Sequence, residues 1–435
     1  MDTKPLESAV NKAMWRLVPI SMLLFFFSLL DRTNISFAAL EMNKDLGLSP
    51  PQYGTAAGIF FVGYVLFEIP SNFLLQRTGA RVWLARIMVT WGLVVMGMAY
   101  IQGPASLYAL RFLLGVAEAG LLPGLLLYLG LWLPAQQRAL AYATLLSTAA
   151  IAYAVGAPLT TLLMKFSLFG LRGWQFMYLT QGLVTVVVGL AALALLPNRV
   201  DQAGWLGTAE RDALKARLSA EQAEKEITGA TTLWQGFFDQ RVLLATATCF
   251  FIVCANFGTV LWLPQIVKSL FPDLGNVEIS LLISIAFLIA AVGGILWGRR
   301  SDRTGDRKWH IVASALFATV GYWIGGWAPT PAMQFVAICF AVLGFWSIFG
   351  VFWAYVGDLL GGQAATAGLA LVNSIGTIGG IVAPIALAYA LQQFGSYSGS
   401  LYVLAGFSLL TAVLASFLKA LPLGTHQSSA VGLAA

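Results

Sequence analysis

Four ionisable residues of this sequence stand where charge is hardest to hold. Asp31 and Arg32 fall in an apolar run over 17–38, and Arg111 and Glu118 fall in another over 106–133. A charge in hydrocarbon costs several kcal/mol unless it is paired or faces water, so such residues mark a function by default. Arginine keeps its charge at every relevant pH and grips a carboxylate through two hydrogen bonds, which makes Arg32 a candidate anchor for a small organic anion. Asp31 and Glu118 are candidate proton acceptors. When ionised, either one competes for the arginine or repels the anion, so protonation favours anion binding and links the two fluxes. Arg111 precedes Glu118 by nearly two helical turns, so both lie on one helix face, about 10 Å apart along the axis, with Arg111 set to modulate the carboxylates. All four groups are expected to converge on one hydrated cavity.

The elements that must position them are membrane helices. Of 435 residues, 59% are hydrophobic and 10% charged, against about a quarter charged in soluble globular domains, so the solvent of this chain is lipid. Apolar stretches of about 20 residues, enough to cross a ~30 Å hydrocarbon core, recur along the whole length. They give about twelve spans near 17–38, 54–75, 82–101, 106–133, 139–164, 174–196, 241–266, 279–300, 310–328, 332–357, 363–391 and 399–420. The fold class is an all-α polytopic membrane protein, with the spans grouped as two six-helix bundles. The first span follows Lys12 and Arg16 like a secretory signal, but no small-residue cleavage site follows it, so it reads as a retained helix.

Lys and Arg gather in alternate loops: before the first span, after the second, fourth and eighth, and in the central polar stretch. Cytoplasmic loops retain these residues, so both termini are expected in the cytoplasm of a cytoplasmic-membrane protein. The net charge of +6 reflects this sidedness and not nucleic-acid binding. The polar stretch from Pro197 to Trp234 reads as a charged or amphipathic cytoplasmic helix, solvated as a linker. The expected organisation is an N-terminal bundle over 1–197, a linker over 198–238, a C-terminal bundle over 239–422 and a cytoplasmic tail over 423–435.

The halves repeat. Arg77-Thr-Gly79-Ala-Arg81 matches Arg303-Thr-Gly305-Asp-Arg307, and Pro158 aligns with Pro384, so 77 to 303 and 158 to 384 share one offset of 226 residues. That offset carries Asp31, Arg32, Arg111 and Glu118 onto Phe257, Gly258, Ala337 and Gly344. The charges therefore belong to one half only, as a coupling site requires and general scaffold ion pairs do not.

The paired basic loops resemble the signature of the major facilitator superfamily. The second copy, from Gly298 through Asp302, Arg303, Gly305 and Arg307 to Lys308, is the fuller match; the first has Gln76 where the family carries an acid. Asp31-Arg32-Thr-Asn34, the run from Arg111 through Gly115, Glu118 and Gly120 to Pro123-Gly124, and Asn373-Ser-Ile-Gly376 sharpen the resemblance to the anion:cation symporters, which include phthalate, tartrate, 4-hydroxyphenylacetate and galactonate permeases. The resemblance implies proton coupling at Asp31 and Glu118 and anion binding at Arg32. It also implies cytoplasmic gating by Arg77, Gly79, Arg81, Asp302, Arg303, Gly305 and Arg307, and a monomer.

Tyr64, Asn373, Trp262 and Gln265 are secondary substrate contacts, able to supply hydrogen bonds and an apolar wall. Glu68, near the inner end of the second span, is expected to pair with loop arginines, and Asp358 to lie at the inner boundary. Cys249, Cys254 and Cys339 lack metal-ligand spacing, and His310 and His426 stand apart from them, so neither a metal, a cofactor nor a disulfide is expected. No nucleophile–base set or phosphate-binding loop points to an enzyme. The reading is proton-coupled uptake of a small organic carboxylate (a sugar acid, hydroxy-diacid or aromatic acid), with export or exchange on the same fold and a non-transporting sensor as alternatives. Charge sidedness generates a direct test. A fluorescent protein fused to the C-terminus lights up in cells and alkaline phosphatase fused there stays inactive; the reverse pair of results inverts the topology.

Overall fold

The computed structural model describes residues 4–227, 240–359 and 364–419. Among these residues the regular structure is helical throughout, as a backbone in lipid must be to satisfy its own N–H and C=O groups. The helices are α1 Lys4–Asp45, α2 Pro50–Thr78, α3 Ala80–Met98, α4 Pro104–Glu118, α5 Leu121–Trp132, α6 Ala135–Leu163, α7 Gly173–Leu195 and α8 Thr208–Ile227. They continue as α9 Gln240–Leu270, α10 Asn276–Thr304, α11 Lys308–Trp327, α12 Pro331–Leu359, α13 Ala364–Thr377, α14 Gly379–Phe394 and α15 Tyr397–Ser416.

Among the described residues, eleven helical segments are long and apolar enough to cross a membrane. The remaining expected span is α11, 20 residues and so about 30 Å long, whose tryptophans, glycines and His310 dilute its hydropathy. Starts follow the sequence: Ser49 caps α2 in a reciprocal box with Gln52, just ahead of Pro50 and Pro51.

The span expected unbroken over 106–133 is two helices. α4 ends at Glu118, Gly120 takes the left-handed conformation at φ 87°, and α5 restarts at Leu121 with Pro123 in its first turn. Proline lacks the N–H that a continuous helix would use there, and glycine accepts the left-handed turn that other residues resist. The expected span 363–391 likewise divides into α13 and α14.

The described chain forms two compact units. The first comprises Met1–Gly229 with Gly275–Ser284; the second comprises Ala230–Leu274 with Ile285–Ala435. In the first, α3 packs along α7, α2 along α4 and α1 along α6. Gly92 and Gly182 let α3 and α7 approach closely: a Cβ on Gly182 would stand 2.6 Å from the Gly92 carbonyl. The opening turns of α10 join this unit, with Thr161 and Ser280 hydroxyls 2.8 Å apart and Asn276 donating to Glu41 at 2.7 Å. In the second, α11 packs on α12 and α15, and α9 on α13, α14 and α15. Pro158 lies inside α6 and Pro384 inside α14, while Gly79 and Gly305 both have positive φ, 89° and 67°, so the sequence repeat recurs as local geometry.

The polar stretch is not the solvated linker expected. α8 docks on the first unit through buried Leu214 and two glutamates. Glu210 accepts hydrogen bonds from Lys12, Ser8 and the Gly207 amide at 2.7, 2.6 and 2.8 Å, and those donors hold its carboxyl down to about 2. Glu221 accepts from Arg138 and from the Ala135 amide at the start of α6, where a negative charge meets the positive helix end. Helical amphipathicity offered this docking, but the partners on α1 and α6 are long-range. The end of the linker and the tail 423–435 lie outside the described residues.

The α3–α7 crossing generates a stability test. Gly182→Ala forces two backbones apart and lowers the thermal midpoint, at a cost of about 1–3 kcal/mol. Gly350→Ala, whose Cβ meets nothing within 4 Å, leaves it unchanged or raises it. Equal midpoints for both variants would remove the close-approach account.

Candidate functional site

All four charges of the sequence argument lie in the first unit, and its geometry divides them. Ser28 and Arg32 are one turn apart on α1 and face the end of α4, where both donate to Glu118 Oε1: Ser28 Oγ at 2.7 Å, and Arg32 Nη2 through a short ion pair. Glu118 is fully buried, whereas 14% of the Arg32 side chain is exposed. Phe60 and Tyr64, one turn apart on α2, flank the guanidinium with ring centroids 5.3 and 5.0 Å from its carbon. Tyr153 on α6 lies in the field of both partners. Arg32 Nε and Glu118 Oε2 have no hydrogen-bond partner among the described residues, so the pair retains donor and acceptor capacity.

Asp31 faces elsewhere. Consecutive helix residues point about 100° apart, so the side chain next to Arg32 meets a different wall. Trp91 Nε1 on α3 and Thr185 Oγ1 on α7 both donate to Asp31 Oδ2 at 2.8 Å, and Asn34 approaches Oδ1 at 3.4 Å. Asn34 also donates to Gln181 at 3.2 Å, and Gln181 donates to Thr160 at 2.9 Å. Asp31 is fully buried and has no cationic partner within 4.0 Å among the described residues.

Arg111 is also fully buried. Its Nε donates to the Ala56 carbonyl at 3.2 Å, and its guanidinium carbon lies 4.9 Å from the Phe60 ring centre. Its Nη1 and Nη2 have no hydrogen-bond partner among the described residues. Arg111 and Glu118 thus share the interior face of α4, as their spacing predicts, but Arg111 forms no ion pair with either carboxylate. The expectation that four charges converge on one hydrated cavity is corrected: Arg32 and Glu118 form a partly open pair, while Asp31 and Arg111 are sealed.

The other candidates divide by role and unit. Tyr64 stands against Arg32 at 6% exposure. Glu68, also buried, lies in the field of Arg32. In the second unit Trp262 is fully buried on α9, donating to the Pro384 carbonyl at 3.3 Å and meeting Tyr397 edge-on at 6.3 Å. Those contacts are packing contacts. Gln265 on α9 and Asn373 on α13 are half-buried.

In the loop from 77 to 81, Arg77 stacks on Phe73 at 4.3 Å, Gly79 closes the turn, and the Arg81 amide donates to Asn198 at 2.9 Å. In its repeat, Arg307 bonds both Asp302 at 2.7 Å and Asp358 at 2.8 Å, Gly305 closes the turn, and Arg303 is exposed. The first loop has no such double pair among the described residues, which follows from Gln76 standing where the family carries its acid.

Sequence reasoning missed Ser28, Phe60, Trp91, Thr185 and Gln181. The i,i+4 spacing of Ser28 to Arg32 and of Phe60 to Tyr64 was a usable signal. Trp91 and Thr185 carried none, since single polar residues in long apolar runs acquire meaning only from their neighbours across the bundle. Among the described residues no cluster of three His, Cys, Asp or Glu is able to hold a metal ion.

Comparison with known proteins extends the geometry. The model of the Major Facilitator Superfamily matches residues 21–272 and 269–432. A protein of Agrobacterium vitis named "Putative tartrate transporter" is 42% identical over 95% of this chain and 92% of its own length. The "Quinolone resistance transporter" of Acinetobacter baumannii is 35% identical over 94% of each chain. Among solved structures, a D-xylose-proton symporter superposes with a TM-score of 0.72 at 16% identity, covering 94% of this chain and 98% of its own; that likeness concerns the fold.

The Asp31 cage generates a test of its own. Thr185→Val keeps the side-chain shape and removes one donor from a buried carboxylate, costing about 1–3 kcal/mol in thermal or denaturant unfolding. Thr144→Val removes only a bond to its own helix carbonyl at an exposed site and costs less than about 0.5 kcal/mol. Equal costs would mean that Asp31 does not depend on Thr185.

Proposed function

The chain belongs to the major facilitator superfamily and is a multi-pass membrane transporter of a small molecule, not an enzyme, and from that premise we propose that it takes up a small organic carboxylate with protons. In this reading it works by alternating access across the cytoplasmic membrane, with both termini inside. The observation that carries the proposal is the Arg32–Glu118 pair: one arginine, partly open, held by one buried carboxylate with Ser28 and Tyr64 beside it.

Ionised Glu118 occupies the cation that a substrate carboxylate needs. A proton on Glu118 neutralises it and frees the guanidinium for two-point binding of the incoming anion. Loss of that proton toward the inner side lets Glu118 recapture Arg32 and expel the anion. Asp31 is the second proton carrier, and Arg111 holds positive potential behind both carboxylates. Tyr64 offers a hydroxyl to the substrate, and the name of the Agrobacterium relative favours a hydroxy-diacid such as tartrate as that substrate. Asn373 and Gln265 are kept as substrate-contacting candidates, and the loops around Gly79 and Gly305 as cytoplasmic gates.

A second reading, export of an organic ion on the same fold, draws on the relative named for quinolone resistance. Reconstituted vesicles separate the two. An inward proton gradient drives accumulation of tartrate or a related hydroxy acid under the uptake reading; accumulation indifferent to the gradient removes it, and quinolone moved against the gradient supports export.

Variants sharpen the test. Glu118→Gln abolishes gradient-driven accumulation and leaves substrate counterflow measurable. Arg32→Ala weakens substrate affinity by roughly a hundredfold, the loss of a charge-assisted two-point contact. Intact concentrative uptake in the first variant, or wild-type affinity in the second, would overturn the assigned roles.

A further inference from the structure

Asp31 is fully buried, and its donors, on α1, α3 and α7, are a different set of groups from those that hold the Arg32–Glu118 pair. A proton that protonates Glu118 through the open side of Arg32 therefore does not reach Asp31 by the same contact.

The face of α7 turned toward α1 offers another way. Trp174, Tyr178, Gln181 and Thr185 follow one another at steps of four, three and four residues, which aligns them in one stripe about 16 Å long. Its inner end is bonded to Asp31 through Thr185, and Gln181 is bonded to Asn34. Its other end reaches the surface. Trp174 Nε1 donates to Asp45 at 2.8 Å, and Asp45 pairs with Arg172 at 2.9 Å, the two side chains 29% and 59% exposed.

Between these ends sits Tyr178, fully buried and edge-on to Trp174 at 6.3 Å. Its hydroxyl has no hydrogen-bond partner among the described residues and lies in the fields of both Arg111 and Asp31. Arg111 Nη1 and Nη2 and Asn34 Oδ1 are unpartnered in the same way. Four buried polar atoms without partners, strung between an exposed carboxylate and a buried one, are the setting in which internal water is held.

We propose that protons reach Asp31 along this α1–α7 stripe, from Asp45 through the Tyr178 hydroxyl and water held between Tyr178, Arg111 and Asn34, and not past the Arg32–Glu118 pair. A hydronium ion at the Asp45 end gives a proton to the water beside Tyr178. The phenol oxygen accepts that proton while its own hydroxyl proton passes to the next water, which gives a proton to Asp31, so the carboxylate ends as a carboxylic acid. The net change is one hydronium consumed at the surface and one proton bound at Asp31, with Tyr178 restored. Arg111 keeps its charge and orients the water as a donor only. The other groups set around Asp31 are its donors Asn34 on α1, Trp91 on α3 and Thr185 on α7, with Glu118 on α4 in its field. In the proposed orientation, Asp45 and Arg172 stand on the outer face.

This inference rests on the reading of Asp31 as a proton carrier, and the experiment separates the two. The full chain in lipid nanodiscs is followed by infrared spectroscopy after a pH jump, with the carboxylic C=O band of Asp31 identified by its loss in Asp31→Asn. In the wild type the band appears on acidification. Tyr178→Phe, which keeps the ring and removes the hydroxyl, leaves the final amplitude unchanged and slows its appearance by roughly tenfold or more, an added barrier above about 1.4 kcal/mol. Tyr142→Phe, which removes a buried-side hydroxyl outside the stripe, leaves the rate unchanged.

A Tyr178→Phe rate equal to wild type, or an equal slowing in Tyr142→Phe, overturns the route while Asp31 keeps its proton. Absence of any Asp31 band in the wild type overturns the proton-carrier reading and the route with it. If Tyr178→Phe does not fold, Asp45→Asn at the half-exposed entrance decides: slower protonation supports the route, and an unchanged rate overturns it.

Discussion

A charge in hydrocarbon must find a partner, and the first unit is arranged around the two ways its charges do so. Arg32 and Glu118 neutralise each other across the α1–α4 contact, with Ser28 adding a donor and Phe60 and Tyr64 offering ring faces to the cation. Asp31 is held instead by three neutral donors, with no cation paired to it among the described residues. The first arrangement is electrostatically tight yet open to exchange under the proposed function, because the carboxylate of the proposed substrate presents the same chemistry as Glu118. The second is a cage whose donors serve either protonation state only in part, since an acid needs an acceptor and a carboxylate needs donors. Two carboxylates, Asp31 on α1 and Glu118 at the end of α4, are thereby given different environments, the usual precondition for different roles.

The backbone supports this division. Glu118 is the last residue of α4, and the chain turns through left-handed Gly120 before Pro123 allows α5 to begin. The break falls where the acid must meet Arg32, so the side chain is set by a helix end and not by a rigid continuous rod. Gly92 and Gly182 draw α3 and α7 together beside the residues that cage Asp31, Trp91 and Thr185. Backbone proximity there is a prerequisite for donors on both helices to reach one oxygen.

Much of this was legible before any coordinates. Long apolar runs, the duplicated Arg-Thr-Gly loop and the four intramembrane charges required only hydropathy, a constant offset and the cost of buried charge. The pairing was not legible, because Asp31 and Arg32 are neighbours in sequence and their divergence depends on which helices stand on each side. The break after Glu118 was signalled by Gly120 and Pro123 but hidden by unbroken hydropathy. The docking of α8 was obscured for the opposite reason: its charges read as solvent-facing, while Glu210 and Glu221 are spent on Lys12, Arg138 and the start of α6. Trp262 shows the same limit, since the bond of its indole to the Pro384 carbonyl of its own unit depends on a helix far away in sequence.

Duplication makes the second unit an internal control. At the counterpart of Arg32, Gly258, even a methyl group would press on Leu404 at 2.8 Å, with Ala383 and Leu387 close behind. At the counterpart of Glu118, Gly344, it would meet the Ala318 amide nitrogen at 2.6 Å. Phe257 and Ala337, standing for Asp31 and Arg111, are buried apolar groups. The same fold therefore closes its helices directly on one another at the very positions that carry charge in the first unit. A scaffold that needed ions for cohesion would have needed them in both halves, and at these positions the second half has apolar side-chain and close backbone contact instead. The ionic cluster is thus an added feature of a fold that can be packed without it. Its presence in one half only, against the cost of burial, is what the proposed coupling site requires and what general cohesion does not.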